Sequence, residues 1–422
     1  MFNSRYRKFI LALASLALLG ILIFQIPAIN RRLSWRLEIA QTYLRGVIHP
    51  VEAVPTPNAI FIPPTPEPAT SATPEPSPTN SSLLEGTNSP TPTLTPTITQ
   101  TPTAIPESVY LPAPNWVSQD QNNCGPAALS MYLNYYGWDG DQYQISDLLK
   151  PDRADRNVNV EELDYYVRNY AGWLNTLYRV GGDLEMLKEF IAAGIPVIVE
   201  SSFFFDERYW PNDDLWAAHY LLVTGYDEAE QTFTVQDTFH GPNQVLSYTT
   251  MDEYWQPFNR LYMLVYPPDQ EETVQAILGD NWDEETNRQH ALEVARTETA
   301  ADPENSYAWF NLGTNLLYFE QYQDAAEAYD EARTIGWPQR MLRYQFGPFF
   351  AYFHSGRTED LLTLTEYALQ RTPNSEEAHL WRGWGRYRNG DVNGALADFR
   401  AALEVNPNNW DAQYALDFVL NQ

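Results

Sequence analysis

Residues 119–137, "QDQNNCGPAALSMYLNYYG", hold the single cysteine of the chain, Cys124. Gly-Pro follows it, and Ala128, Met131, Tyr132 and Tyr135 recur at helical spacing. The pattern predicts a helix over Cys124–Tyr136 with proline in its first turn, where the missing N–H would be unpaired anyway. A cysteine so placed feels the positive end of the helix dipole, which lowers its pKa and favours the nucleophilic thiolate. A thiol nucleophile uses an imidazole to take and return a proton. Of the 6 histidines, His219 and His240 lie in the same folded stretch. His219 opens the apolar run "HYLLVTGYD", and Asp237 closes the next strand-like run, 12 residues beyond Gly225. Two adjacent strands would set imidazole and carboxylate side by side, the carboxylate fixing the tautomer and orientation of the ring. Gln119 or Gln121 could bind an oxyanion. Each residue also has a structural reading: Cys124 as an apolar filler, His219 as a strand histidine, Asp237 as a turn former. His240 reads as a loop residue without a role. The aromatic run "SSFFFDERYW", Ser201 to Trp210, reads equally as a groove lining or a packed loop.

The elements that must position these residues are legible in part. Helical patterns occur at Cys124–Tyr136, Val160–Tyr170 and Leu184–Ala193, the last stopped by Gly194. Strands follow at "PVIVES", "HYLLVTGY", "TFTVQD" and "LYMLVY". Residues 108–266 therefore form an α+β domain. From about residue 271 the pattern turns helical and repeats: Pro373 and Pro407 are 34 apart, as are Gly356 and Gly390. This resembles the tetratricopeptide repeat, a helix–turn–helix unit of about 34 residues. Repeats are expected at about 306–338, 342–375 and 376–409, with a degenerate repeat in front and a capping helix from Trp410. Small residues such as Gly313, Ala325, Gly383 and Ala395 would let paired helices approach closely. In the middle repeat Phe349 and Leu361 take the place of small residues, which predicts splayed helices.

The N-terminal part differs in kind. Phe9 to Asn30 is free of charge over 22 residues, and about 20 apolar residues span a bilayer as a helix. Arg5, Arg7 and Lys8 precede it; Arg31, Arg32 and Arg36 follow. An uncleaved signal anchor is the reading adopted; the alternative is a cleaved signal peptide. Positive charge on both sides leaves orientation undecided by charge; an N-terminus inside and an extracytoplasmic body is the simpler arrangement. Leu33, Leu37, Ala40, Leu44 and Val47 share one helical face, which either lies along a membrane interface or extends the anchor helix. Residues 50–107 hold 15 of the 31 prolines, and no Lys or Arg occurs between Arg45 and Lys150. Such a segment cannot bury enough apolar surface to fold and is expected to be a disordered stalk.

Composition excludes some functions. One cysteine rules out an intramolecular disulfide, a four-cysteine zinc site and a CxxC redox pair. Beyond residue 45 the chain carries 19 basic against 54 acidic residues, a balance that phosphate backbones would repel. Nucleic acid is therefore not an expected partner, and no metal or cofactor is called for.

The stretches "QDQNNCGPAAL", "AHYLLVTGYD" and "VQDTFHG" match, in order and spacing, the motifs of papain-like cysteine peptidases of the bacteriocin-processing, double-glycine leader-peptidase type. Residues 108–266 resemble that family. The resemblance implies a papain-like α+β fold with Cys124 as nucleophile, His219 as base, Asp237 as orienting carboxylate and Gln119 as oxyanion donor. Two positions depart from it: Ala218 stands where glycine is frequent, and Gln119 lies five residues before Cys124 where six also occurs. Transporter-fused members cut after two glycines; no transporter segment is present in these 422 residues, and that substrate is not carried over.

The architecture expected is a transmembrane helix, a disordered stalk, a papain-like α+β cysteine peptidase domain and an all-α tetratricopeptide-repeat solenoid. The function expected is an exported, membrane-anchored peptidase acting on peptides or proteins, with the repeats recruiting substrate or a protein partner. Two other readings stay open. One is a different thiol acyl transfer, transglutaminase-like or amidase; the other is a non-catalytic binding scaffold.

Overall fold

The computed structural model describes residues 13–16, 18–20, 22–24, 26–58, 105–208 and 210–422. The expected membrane span, 9–30, falls partly outside that set. Among the described residues no helix is long and apolar enough to cross a membrane. The expected stalk falls outside the described residues over 59–104.

A seven-stranded antiparallel sheet carries the first folded unit. Its strands are β1 (Ser108–Tyr110), β2 (Asn175–Arg179), β3 (Val197–Phe204), β4 (Trp216–Asp227), β5 (Thr232–Asp237), β6 (Gly241–Ser247) and β7 (Tyr262–Tyr266). They lie in the order β2-β7-β3-β4-β5-β6, with β1 added beside β4. After the N-terminal helix α1 (Pro27–Ile48), three helices pack on one face: α2 (Cys124–Tyr135), α3 (Gln142–Leu149) and α4 (Val160–Tyr170). Alternate side chains of the strands meet them there, Ile198, Tyr220, Leu222 and Met263 among them. The opposite parity, Val197, Val199, Leu221 and Val223, packs on α5 (Leu184–Ala192) and α6 (Tyr248–Trp255). Period-two alternation on both faces is what a sheet buried on both sides requires. Strands β1, β2 and β6 were not legible in the sequence: β1 and β2 are short, and β6 opens with Gly-Pro and is mostly exposed.

After α7 (Glu271–Leu278), helix pairs follow one another. They are α8 (Glu284–Ala301) in front, then α9 (Ser306–Tyr318) with α10 (Tyr322–Ile335), α11 (Gly347–His354) with α12 (Thr358–Arg371), α13 (Glu376–Arg388) with α14 (Val392–Val405), and α15 (Trp410–Leu420) last. Glycines set the spacing within pairs. A Cβ on Gly313 would lie 2.9 Å from the Tyr329 ring, and one on Gly383 would lie 2.5 Å from the Phe399 ring. The middle repeat is irregular: α11 has only 8 residues and is preceded by a 3-10 turn at Gln339–Arg343. Phe349 and Leu361 are both fully buried there.

The two units share a core. Trp216 and Phe258 of the sheet unit are buried in one cluster with Phe310, Tyr329, Met341 and Tyr352 of the repeats. Buried polar contacts join them too. Arg340 pairs with Asp213, Gln339 Nε2 donates to Asp213 at 2.9 Å, and Asn259 Nδ2 donates to Asn315 at 2.8 Å.

The start of the expected stalk is corrected. Residues 50–58 are extended and fixed to the repeats. Val54 is buried in the shared core. Arg333 donates to the Pro55 carbonyl at 2.8 and 3.0 Å, Tyr367 Oη donates to Glu52 O at 2.9 Å, and Asn58 N donates to Asp360 at 3.1 Å. Proline-rich composition argues against self-folding, but it does not prevent an extended segment from being held by another unit's side chains. Just before it, Gly46 of α1 packs on Trp210 and Pro211. The apolar face Leu33, Leu37, Leu44 and Val47 is exposed.

Candidate active site

Cys124 is the first residue of α2, and every residue of that helix from Gly125 to Leu133 is buried. The burial fixes the helix axis and holds the thiol, itself half-buried, at the positive end of the dipole. The loop in front is pinned from within. The buried Gln142 side chain accepts from Asp120 N at 2.8 Å and Asn123 Nδ2 at 2.7 Å, and donates to Ser118 O at 2.9 Å. Lys150 Nζ, also buried, donates to Asn122 O at 2.8 Å. Asn122 adopts a left-handed φ of 52°, a conformation asparagine tolerates.

His219 lies in β4 with its side chain buried, and its Nε2 is 2.7 Å from Asp237 Oδ1. The Cys124 thiol lies close enough to the imidazole for each to shift the other's pKa. With Nε2 engaged by the carboxylate, Nδ1 is the nitrogen left for sulfur. Register explains the pairing. Leu221 stands opposite Asp237, and His219, two residues earlier, projects from the same face. Asp237 also accepts from the backbone N–H of Phe239 at 2.7 Å and of His240 at 3.0 Å.

The charges follow. Burial pushes the Cys124 thiol up, but the hydrogen bond and charge of His219 outweigh it and bring the pKa below the ordinary thiol value. Burial pushes His219 down, and hydrogen bonds to Asp237 and Cys124 raise it well above the usual imidazole range. Burial likewise disfavours the Asp237 anion, yet the two histidines and the backbone N–H groups hold its carboxyl below the usual range. A low thiol beside a high imidazole favours a thiolate–imidazolium pair.

Gln119 is half-buried on the same rim. Its N–H donates to Thr238 O at 2.9 Å, and its amide oxygen accepts from Thr238 Oγ1 at 2.8 Å. The carbonyl end is thereby committed, which leaves the NH₂ end as donor. The sequence reading thus names four residues that the fold gathers at one end of the sheet.

His240 differs from that reading: its Nδ1 is 2.7 Å from Asp237 Oδ2. Both carboxylate oxygens are thus engaged by imidazoles, one buried and one exposed to solvent. Its spacing of three residues after Asp237 is the only signal the sequence offers. The aromatic run is also part of the site. Phe203 lies 5.3 Å from the His219 ring and 5.3 Å from the His240 ring, centroid to centroid. Phe205 and Phe239 pack beside it. Arg340 of the repeats lies over the Phe205 ring at 5.0 Å. Gln142 and Lys150 are further residues that sequence reasoning missed, since nothing in a lone Gln or Lys signals a buried brace. No group of His, Cys, Asp and Glu among the described residues could hold a metal ion.

Residues 110–263 match the family described as Peptidase_C39 like family. Residues 285–340 and 376–409 match tetratricopeptide-repeat families. The chain thus joins a C39-like cysteine peptidase fold to a tetratricopeptide-repeat array. Among solved structures it is similar to a C39-like peptidase from Bacillus anthracis, at 16 % identity over 38 % of this chain and 98 % of that one, with a TM-score of 0.31. A double glycine motif protease from an AMS/PCAT transporter, in complex with its leader peptide, matches at 17 % identity over 38 % and 94 %, TM-score 0.28. A thermophilic TPR protein in Thermus thermophilus matches at 20 % identity over 32 % and 74 %, TM-score 0.26. No curated protein matches the chain.

Proposed function

We propose that this protein is a membrane-anchored cysteine peptidase with its body on the extracytoplasmic side, and that the repeats recruit its peptide or protein substrate or a protein partner. The observation that carries the reading is buried His219, 2.7 Å from Asp237 and beside the Cys124 thiol at the start of a buried helix. In the proposed reaction the Cys124 thiolate attacks the peptide carbonyl, and the Gln119 NH₂ donates to the oxyanion. Imidazolium His219 gives its proton to the leaving amine as the C–N bond breaks, leaving a thioester. His219 then takes a proton from water as its oxygen attacks the thioester. The acid leaves and the thiolate–imidazolium pair is restored, for a net hydrolysis of one peptide bond. Asp237 orients the ring throughout, with His240 as a positioning residue on its other oxygen.

Labelling with a peptidyl vinyl sulfone tests the reading. Wild type should be modified at one site and Cys124→Ala not at all, and peptide cleavage should release a free amine without a second amine substrate. A Cys124→Ala variant that cleaves as wild type does would end it.

Anchoring rests on the uncharged run Phe9–Asn30 and is supported by the exposed apolar face of α1, which suits a membrane interface. The full-length protein should stay with membranes in high salt and leave them in detergent. Release by salt alone would remove the anchor from the proposal.

A further inference from the structure

A cavity of about 330 Å³ lies where the sheet unit meets the repeats. Glu161 at the start of α4, Glu200 of β3 and Asn259 before β7 line one side; Arg288, Thr314 and Tyr344 line the other. Its charges do not balance. Arg288, the one cation of the lining, faces Glu161 and lies 4.9 Å over the Tyr318 ring. Glu200 has no cation: no Lys or Arg among the described residues forms an ion pair with it. It is only 8 % exposed. The charged and polar groups around it are Glu161, the Cys124 thiol and the Tyr220 hydroxyl. That hydroxyl directs its hydrogen to Val158 O at 3.1 Å, so the carboxyl has at most a share in one donor. A buried carboxylate without a donor is costly, and it either keeps its proton or waits for a cation.

Glu200, on the cavity wall, also lies near the nucleophile. Glu200 stands opposite Tyr220 in the β3–β4 ladder, one step from the Ser201–His219 pair. Gly125, next to Cys124, approaches the Tyr220 ring so closely that a Cβ there would lie 3.3 Å from it.

We infer that this cavity is a substrate subsite for a lysine or arginine side chain, whose charge pairs with Glu200 beside the reacting thiol. The inference rests on the proposed peptidase activity and names its substrate class, a peptide with a basic residue near the scissile bond. It also gives the repeats a direct share in specificity, since Arg288, Thr314 and Tyr344 belong to them.

The test uses the full-length chain in detergent. In a Cys124→Ala background, p-aminobenzamidine should bind saturably, as read by its fluorescence. Glu200→Gln, which keeps shape and removes charge, should weaken binding at least about tenfold, the loss of one charge-assisted contact. Arg288→Met, which removes the competing cation, should tighten it. Binding that is absent, or that ignores both substitutions, overturns the subsite. In the wild-type background, a vinyl sulfone carrying arginine should label Cys124 at least about tenfold faster than its norleucine counterpart, again the value of one such contact. Glu200→Gln should abolish that preference, the norleucine probe serving as the reference within each variant. Equal rates for the two probes overturn the subsite, while iodoacetamide labelling that depends on His219 leaves the peptidase reading intact. Labelling indifferent to His219 would instead end the peptidase reading, and the p-aminobenzamidine titration still decides the cavity.

Discussion

His219 and Asp237 meet at 2.7 Å because β4 carries one residue more than β5 along their pairing. At one end Gly225 opposes Thr234; beyond the bulge Val223 opposes Val235 and Leu221 opposes Asp237. Thr224 is the extra residue. Were Thr224 instead paired regularly with Val235, Leu222 would oppose Asp237, and the carboxylate would project from the face of Tyr220 instead of that of His219, since a one-residue slip reverses every side chain. The bulge is itself satisfied: Thr224 Oγ1 accepts from Gln236 Nε2 at 2.9 Å, and Thr224 O accepts from Leu111 N at 2.8 Å. Thr224→Val, which keeps the size and removes the hydroxyl that accepts from Gln236, should therefore loosen the bulge and uncouple Asp237 from His219. Iodoacetamide alkylation of Cys124 at neutral pH should slow at least about tenfold, on the scale of one lost charge-assisted hydrogen bond. A folded Thr224→Val variant that alkylates at the wild-type rate would show that the Thr224–Gln236 contact does not set the pair.

Substitutions in the proposed active site should separate by role. His219→Ala should slow alkylation of Cys124, because the thiolate loses its ion-pair partner. Asp237→Asn should slow turnover more than alkylation, because its task is to orient the ring. Gln119→Ala should leave alkylation nearly unchanged and lower peptide turnover roughly 10²- to 10³-fold, the usual cost of one oxyanion donor. Single-turnover labelling beside steady-state cleavage reads both quantities. A buried, unreactive thiol would be inert in every variant.

The pH dependence follows from the pair. With Cys124 held low and His219 high, alkylation should already be fast well below the ordinary thiol value of about 8.5. Stability should show two flanks. Asp237 has its pKa lowered on folding; its contribution is present above about 3.9 and is lost as pH falls through the folded value. His219 has its pKa raised to about 10; its contribution is full below about 6.5 and is lost as pH rises through the folded value. Urea midpoints across pH should fall on both sides in wild type, and the alkaline fall should shrink in His219→Ala.

His240 engages the second oxygen of Asp237 from the solvent side. His240→Ala should lower kcat a few-fold with KM unchanged, and His240→Asn, which can still donate, should restore part of the loss. The acid limb of the kcat profile should move in the alanine variant only. Wild-type kcat and an unmoved profile in His240→Ala would reduce the contact to surface packing.

Val54 anchors the extended segment 50–58 in the core shared by sheet unit and repeats. Val54→Asp should free it. Mild proteolysis should then cut within residues 49–58, where wild type resists, and stability should fall by about 1.5–3 kcal/mol, the value of one buried valine. Cleavage of this segment at equal rates in both proteins would mean that the contact does not hold it.

The sequence by itself determined the candidate site residues and the repeat. Cys-Gly-Pro ahead of an apolar helix specifies a thiol at a helix N-terminus through local geometry alone. His219 and Asp237 are legible because strand runs have a period of two and visible ends. The 34-residue spacing and the small residues of the repeats encode helix pairing directly. Tertiary structure alone decided the rest, because those features depend on partners distant in sequence. The bulge at Thr224 arises from how β4 pairs with β5, and no residue type announces it. Gln142 and Lys150 brace the loop before Cys124 only once α3 has packed beside it. His240 becomes a partner of Asp237 only when the turn after β5 folds back. Residues 50–58 look like stalk because proline-rich chain cannot fold alone, yet Arg333 and Tyr367, about 300 positions away, hold their carbonyls. Long-range hydrogen bonds and shared burial of this kind leave no period in the sequence, so only the folded chain displays them.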